Sequence, residues 1–295
     1  MNTSASLPGT GYALRKALSK TTLRTAVLII CFVWTLPSLG LFISSFRPEN
    51  DIRASGWWTV LETPFEFTQW TLANYEKVIT ANGLGQTFIN SLIVTIPATV
   101  IPITIAAFAA YAFAWMDFWG RDVFFALIVG LIVMPLQMAL IPVLRLYTSS
   151  GLNGTFLGIW LAHTGFGLPL AVYLLYNFIA QLPRDLIEAA KVDGASHFQI
   201  FTGIVLRLST PAVASFAVFQ FLWVWNDLLV ALVFLGTSPS ASTMTARLSE
   251  LVGSRGQDWH LLTSGAFLSM VVPLVVFFAL QRYFVRGILA GSVKE

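Results

Sequence analysis

The sequence predicts an all-α, polytopic membrane protein with six transmembrane helices, and three observations carry that prediction. The 295 residues are 56% hydrophobic and 11% charged, where an ordinary soluble domain carries about 25% charged residues. Six apolar runs, near 24–46, 86–114, 122–147, 154–180, 209–235 and 263–284, can each cross a hydrocarbon layer of about 30 Å, which takes roughly 20 helical residues. An even number of spans puts both termini on one side, and eleven Lys and Arg fall on that side against six on the other. The positive-inside rule makes the richer side the cytoplasm.

Taken in order, residues 1–23 form a cytoplasmic N-terminal segment. Its basic stretch "ALRKALSKTTLR" precedes an apolar run longer than the roughly 7–15 residues of a signal core and without a clear small-residue cleavage site, so it reads as an uncleaved anchor. Residues 47–85 make the longest outer loop. Trp57, Trp58, Trp70 and Tyr75 in it suit the headgroup layer, which favours amphipathic rings, and interfacial anchoring is preferred over a ligand role. Pro97 and Pro102 in the second run, and Pro135 and Pro142 in the third, interrupt the helical ladder and imply kinked helices packed in a bundle. The small-residue run "AAFAAYAFA" at 106–114 permits close helix approach.

In the fifth run, "FQFLWVWNDLLVAL", Asp227 falls about halfway along, and an Asp at the centre of a span costs about 2.5–3.5 kcal/mol to insert. Two readings are open. One is a polar face on a solute pathway made by Asn226 and Asp227, with Trp223 and Trp225 as rings for a sugar to stack on. The other is a buried inter-helix hydrogen-bond cluster, or a helix end nearer the outer interface. Gln137, His163, Asn177 and Gln220 carry the same ambiguity.

Several function classes find no support. The chain has no Gly-x-x-x-x-Gly-Lys-Ser/Thr loop and no His-Glu-x-x-His, so neither a P-loop nucleotide site nor that zinc site is expected. Its one cysteine, Cys31, sits in an apolar run, and His163, His197 and His260 fall in separate segments, which leaves no metal centre. A net charge of +3 gives no reason to expect nucleic acid. No internal repeat is visible, and no nucleophile and base are paired for catalysis.

Between the fourth and fifth runs lies "EAAKVDGASHFQIFTGIVLR", Glu188 to Arg207. Pro183 suits a helix start, Asp185 and Glu188 sit near its N-terminal dipole, and Lys191 sits at its other end, which predicts a helix over 184–192. Gly194 can take the left-handed conformation that ends it. Ser196 and Gln199 match a capping box, starting a second helix through Phe198, Phe201, Ile204 and Val205 into the fifth span. Ala189 and Ala190 give the first helix a small, flat face.

Glu188-Ala189-Ala190, three residues, Gly194, nine residues and Ile204-x-Leu206 resemble the EAA loop of ABC-importer permease subunits, the MetI-like fold. "AAKVDGAS", "WND" and the ending "QRYFVRGILAGSVKE" resemble its carbohydrate, maltose-type branch. The resemblance implies a six-helix permease domain over 24–284, with a cytoplasmic EAA loop at 181–208, outer loops at 47–85 and 236–262, and a cytoplasmic tail at 285–295. It implies that Glu188, Ala189, Ala190, Asp193 and Gly194 couple to an ATPase, and that Arg286, Gly287 and Gly291 of the tail reach toward it. It further implies a second permease subunit, two copies of a cytoplasmic ATPase holding ATP and Mg, and an extracytoplasmic sugar-binding protein met by the last outer loop. The setting is a bacterial or archaeal plasma (inner) membrane, multi-pass, with both termini cytoplasmic. No cofactor and no catalytic residue belong to this chain. One departure stands out: the family usually has proline after Ile-x-Leu, whereas here Arg207 follows and Pro211 comes four residues later.

The function implied is import of a sugar, an α-linked di- or oligosaccharide, by alternating access driven by ATP hydrolysis on separate subunits. A stand-alone secondary transporter or channel, a scaffold or receptor subunit with no pathway, and an ABC permease for a non-sugar solute such as a polyamine are the alternatives.

Overall fold

The computed structural model describes residues 10–81, 83–238, 240–252 and 258–292, with side chains described over 20–81, 83–238, 240–251 and 258–281. All regular structure among the described residues is helical. In chain order the α-helices are α1 (Thr10–Ser45), α2 (Glu49–Ala54), α3 (Ala73–Thr80), α4 (Leu84–Trp115), α5 (Arg121–Ile132), α6 (Leu136–Ser149), α7 (Phe156–Ile179) and α8 (Arg184–Val192). They continue with α9 (His197–Ile200), α10 (Leu206–Leu208), α11 (Thr210–Trp225), α12 (Leu229–Phe234), α13 (Met244–Val252) and α14 (Trp259–Ser292). Short 3-10 turns cover Trp57–Leu61 and Phe67–Gln69, and a π-helical turn covers Phe201–Val205.

Among the described residues four helical stretches are long and apolar enough to cross a membrane unbroken: Lys20–Ser45, Leu84–Trp115, Phe156–Ile179 and Trp259–Gln281. Counting each of two bent helix pairs as one span brings the number to six. The expected third run, 122–147, is α5 and α6 meeting at 105°. Pro135 stands at the start of α6 in extended conformation; it has no N–H to give the ladder and disfavours helix in the residue before it. Pro142 lies within α6, and Pro97 and Pro102 lie within α4, without ending those helices.

The fifth run, expected as one helix over 209–235 that continues the helix begun at the capping box, is corrected at its entry and at its middle. His197–Leu208 meets α11 at 73°, with Pro211 at the start of α11. The bend thus sits at Ser209, beyond Arg207, where the first proline comes. α11 then stops at Trp225, and α12 starts afresh at Leu229. Asp227 is therefore at a helix break rather than halfway along a helix. Its carboxylate accepts from the N–H groups of Val230 (3.3 Å) and Ala231 (2.9 Å), and a side chain that satisfies the first N–H groups of a helix favours starting a new one.

The chain divides into two compact units. The first takes residues 1–75 and 259–267. Along α1, Val27, Leu28, Phe32 and Trp34 are exposed, an apolar surface of the kind lipid covers. Arg47 is 3% exposed and donates to the carbonyls of Asp51 and Ser55 and to the Ser55 hydroxyl, folding the following segment around its guanidinium. Asn74 donates to the carbonyls of Ser45 and Arg47, and the Tyr75 hydroxyl meets Ser45 Oγ at 2.8 Å. Trp57 lies so close to Gly40 that a Cβ there would fall 2.7 Å from its Nε1. Trp58 is exposed.

The second unit takes residues 76–258 and 268–295. Its core is α4 packed along α7: Ala106, Ala107 and Ala110, all buried, lie in one cluster with Ala171, Val172, Leu175 and Ile179. The 106–114 run is thus the close approach expected of it. α11 joins through Gln220, whose Nε2 donates to Ala98 O at 3.1 Å. Gly167 of α7 makes room for that amide, since a Cβ there would lie 2.7 Å from Gln220 Nε2. Thr155 caps α7 by accepting from Gly158 N–H.

Near the start of α4, a second set of polar bonds holds the segment ahead of α13. Asn90, 1% exposed, donates to the carbonyls of Ser240 and Ser242, and Ser91 Oγ accepts from Met244 N–H at 2.8 Å. Asn90→Leu removes three hydrogen bonds, these two donations and the one its Oδ1 accepts from Gln86, worth about 0.5–1.5 kcal/mol each. The expected outcome is a lower unfolding temperature and faster amide exchange over 240–244, measured by hydrogen–deuterium exchange; exchange equal to wild type would contradict the assignment.

Candidate functional site

The segment between α7 and α11 is built by local chemistry. Pro183 precedes α8, Asp185 lies in its first turn and Lys191 in its last, each charge favourable to the helix dipole. At the far end Gly194 N–H donates to Lys191 O and Ala195 N–H to Ala190 O, both 3.0 Å. That pair of bonds is a Schellman motif. It requires a left-handed residue, and Gly194 takes φ +80°. The capping box is present: Ser196 N–H donates to Gln199 Oε1 at 2.8 Å, and Gln199 N–H donates to Ser196 Oγ at 3.4 Å.

One face of α8 is anchored and the other is open. Ile187, 1% exposed, packs in the same cluster as Ile179, Ile200, Phe201 and Val205. Glu188, Ala189, Asp193 and Gly194 are exposed and Ala190 is half-buried. Leu186 is 45% exposed and Val192 88%, so the open face carries apolar side chains that the described residues leave exposed. The fold brings the five residues expected to couple onto one short, rigid element. The segment is clipped to the end of α4 by Tyr111, whose hydroxyl lies 2.9 Å from His197 Nδ1 and whose ring packs on Phe201. Trp115 Nε1 donates to Ile179 O, tying the ends of α4 and α7 beside it.

The four residues weighed as a solute pathway are not brought to one surface. Trp225 is 2% exposed, donates from Nε1 to Ser269 O, stacks on Phe221 and meets Phe88 edge-on. Its ring is covered by these neighbours of the same chain. Trp223 is half-buried and edge-on to His163. Asn226 is exposed and donates to Leu222 O. Asp227 caps α12, and its carboxylate lies 3.8 Å from His163 Nε2, beyond hydrogen-bond length. His163 is 1% exposed, and neither ring nitrogen has a hydrogen-bond partner.

Of the other ambiguous polar residues, Gln220 is the α4 to α11 link described above. Asn177 donates to Tyr173 O in its own helix, and Gln137 is exposed. Arg286, Gly287 and Gly291 lie in the last turns of α14, and their side chains lie outside the described residues. Among the described residues no group of three His, Cys, Asp or Glu could hold a metal. Sequence reasoning missed Tyr111, His197, Asn90 and Ser91. His197 adjoins the capping box, but its partner is 86 residues away, and no local pattern announces such a bond.

Residues 83–290 match the family described as binding-protein-dependent transport system inner membrane component. The chain is 66% identical, over 94% of its length and 93% of the relative's, to the osmoprotective compounds uptake permease protein of a Synechocystis species. It is 45% identical to the alpha-glucoside transport system permease protein of Rhizobium meliloti, covering 91% and 96%. It is 31% identical to the arabinooligosaccharides transport system permease protein of Halalkalibacterium halodurans, covering 90% and 93%. In structure it resembles a chain of a bacterial ABC transporter that imports the acidic polysaccharide alginate, with a TM-score of 0.72 at 17% identity over 95% of this chain and 100% of that one. With its helical bundle, bent spans and EAA segment now placed, the chain belongs to the ABC permease family of binding-protein-dependent transport system inner membrane components.

Proposed function

We propose that the chain is a permease subunit of an ATP-driven importer that takes a neutral glycoside, an α-linked di- or oligosaccharide, from an extracytoplasmic binding protein. The observation that carries the coupling half of this reading is α8: a capped, rigid helix outside the spans whose exposed face bears Ala189, Leu186 and Val192. A small and apolar surface of that kind suits a cleft in another protein, where burial of apolar area drives association. In this reading Glu188, Ala189, Ala190, Asp193 and Gly194 seat in a cytoplasmic ATPase subunit, and Arg286, Gly287 and Gly291 reach toward it. The substrate half draws on the relatives, whose names give alpha-glucosides, arabinooligosaccharides and osmoprotective compounds as their cargo.

When a pair of ATPase subunits closes on ATP and Mg, α8 is carried with it. Ile187 and the Tyr111–His197 bond pass the displacement into the end of α4, and the bends at Ser209 and Pro135 let α11 and α6 change direction against it. A second permease subunit completes the pathway, residues 236–262 meet the binding protein, and both termini lie in the cytoplasm of a bacterial or archaeal cell. Reconstitution with the second permease, the ATPase and the binding protein is expected to give ATP-dependent uptake of at least one of maltose, trehalose and sucrose. Uptake without the ATPase subunits would overturn the reading.

Two variants test the coupling. A side chain at Gly194 would be forced into the left-handed conformation at roughly 1–2 kcal/mol on the docking face itself. Gly194→Leu is expected to insert in the membrane normally and to lower ATP-driven uptake at least tenfold; retention of uptake would remove α8 from the coupling path. Tyr111→Phe deletes the bond to His197, worth about 0.5–1.5 kcal/mol. The ATPase should still co-purify with this variant, while amide exchange over 197–205 quickens and less sugar enters per ATP hydrolysed.

A further inference from the structure

The second unit holds a cleft of about 580 Å³ at the end of the α4–α7 pair remote from α8, lined among others by Thr80, Gln86, Thr87, Ser240, Ser242 and Arg247. The volume is within the roughly 300–1,000 Å³ usual for small-molecule sites. Beside Ala81 and Gly83, the lining residues carry four hydroxyls, a carboxamide and a guanidinium. The guanidinium is paired with Glu250 one turn further along α13, so the wall offers donors and acceptors without surplus charge. That is the complement of a neutral molecule rich in hydroxyls, each of which both donates and accepts.

A second, independent observation points to a ligand. Ser242 is 2% exposed, and its Oγ has no hydrogen-bond partner in the protein. Buried hydroxyls are nearly always matched. Its backbone is held still, since Asn90 holds the Ser242 carbonyl and Ser91 accepts from Met244 N–H, so the unmatched group is fixed within the wall that Ser242 gives the cleft. Gln86, which donates to Asn90 Oδ1 at 3.1 Å, ties the opposite wall to the same support.

We propose that this cleft is a subsite for the hydroxyl groups of a neutral glycoside, occupied as the solute passes from its delivery protein into the permease. The proposal rests on the sugar-import reading, which puts α8 on the ATPase side and the cleft on the side where solute arrives. A carboxylate ligand fits less well, because Glu250 already accompanies the one cation of the wall.

The test uses the whole reconstituted complex with its binding protein, and whichever of maltose, trehalose and sucrose the wild type imports, radiolabelled. The readout is sugar imported per ATP hydrolysed. Thr80→Trp fills the cleft from an exposed position, and the ratio is expected to fall at least threefold. Ser242→Ala removes only the unmatched hydroxyl, a change that is neutral or stabilising if the group has a structural role alone; the expected fall is about twofold. Wild-type ratios in both variants overturn the subsite. So does a joint loss of uptake and hydrolysis at constant ratio with weaker retention of the binding protein, which would assign the cleft to protein docking. Should wild-type complex import none of the three sugars, the sugar reading itself fails and the subsite's ligand falls with it, a result seen before any variant is made.

Discussion

Inside a hydrocarbon layer every backbone N–H has to find an acceptor within the protein, and the path of this chain follows from where its sequence supplies one. Thr155 offers its hydroxyl to Gly158 N–H at the start of α7, and the Asp227 carboxylate serves Val230 and Ala231 at the start of α12. Elsewhere the donor is simply missing: Pro135 and Pro211 stand at the starts of α6 and α11, where a proline leaves no N–H to satisfy. The chain therefore turns at these places with few stranded polar groups. A span that must bend has to be written with such residues at the bend.

α4 is the member on which the other parts of the second unit depend. Near its start Asn90 and Ser91 hold the 240–244 backbone, at its middle Ala98 receives Gln220, and near its end Tyr111 meets His197. The alanines between them let α7 lie against it. The polar bonds fix register and the apolar contact fixes separation. Loss of one bond leaves the others in place, so the two ends of this helix can be altered separately by mutation.

What was legible in the sequence was local. The bounds of α8, the left-handed Gly194 and the Ser196–Gln199 capping box each depend on residues at most six apart, and each is found as expected. The family and the all-helical fold were legible for the same reason. The breaks were half legible: Pro135 was visible, but not the 105° it accompanies. Asp227 was open to two readings, one of them a helix end, because hydropathy averages over a window, and the apolar residues on both sides hid a cap that acts three and four residues downstream. Trp225 was open to two readings because its partners, Ser269 and Phe88, lie far along the chain in opposite directions. The Asn90 bonds span about 150 residues, and no periodicity encodes a contact at that range.

The Schellman motif at the end of α8 has a consequence for assembly. Its last carbonyls are satisfied by Gly194 and Ala195 of the same chain, so the helix needs no partner in order to form. A partner that binds it does not have to supply the ordering entropy of a disordered loop. Affinity can then be modest at each contact and the encounter fast, because the shape of the segment does not depend on being bound.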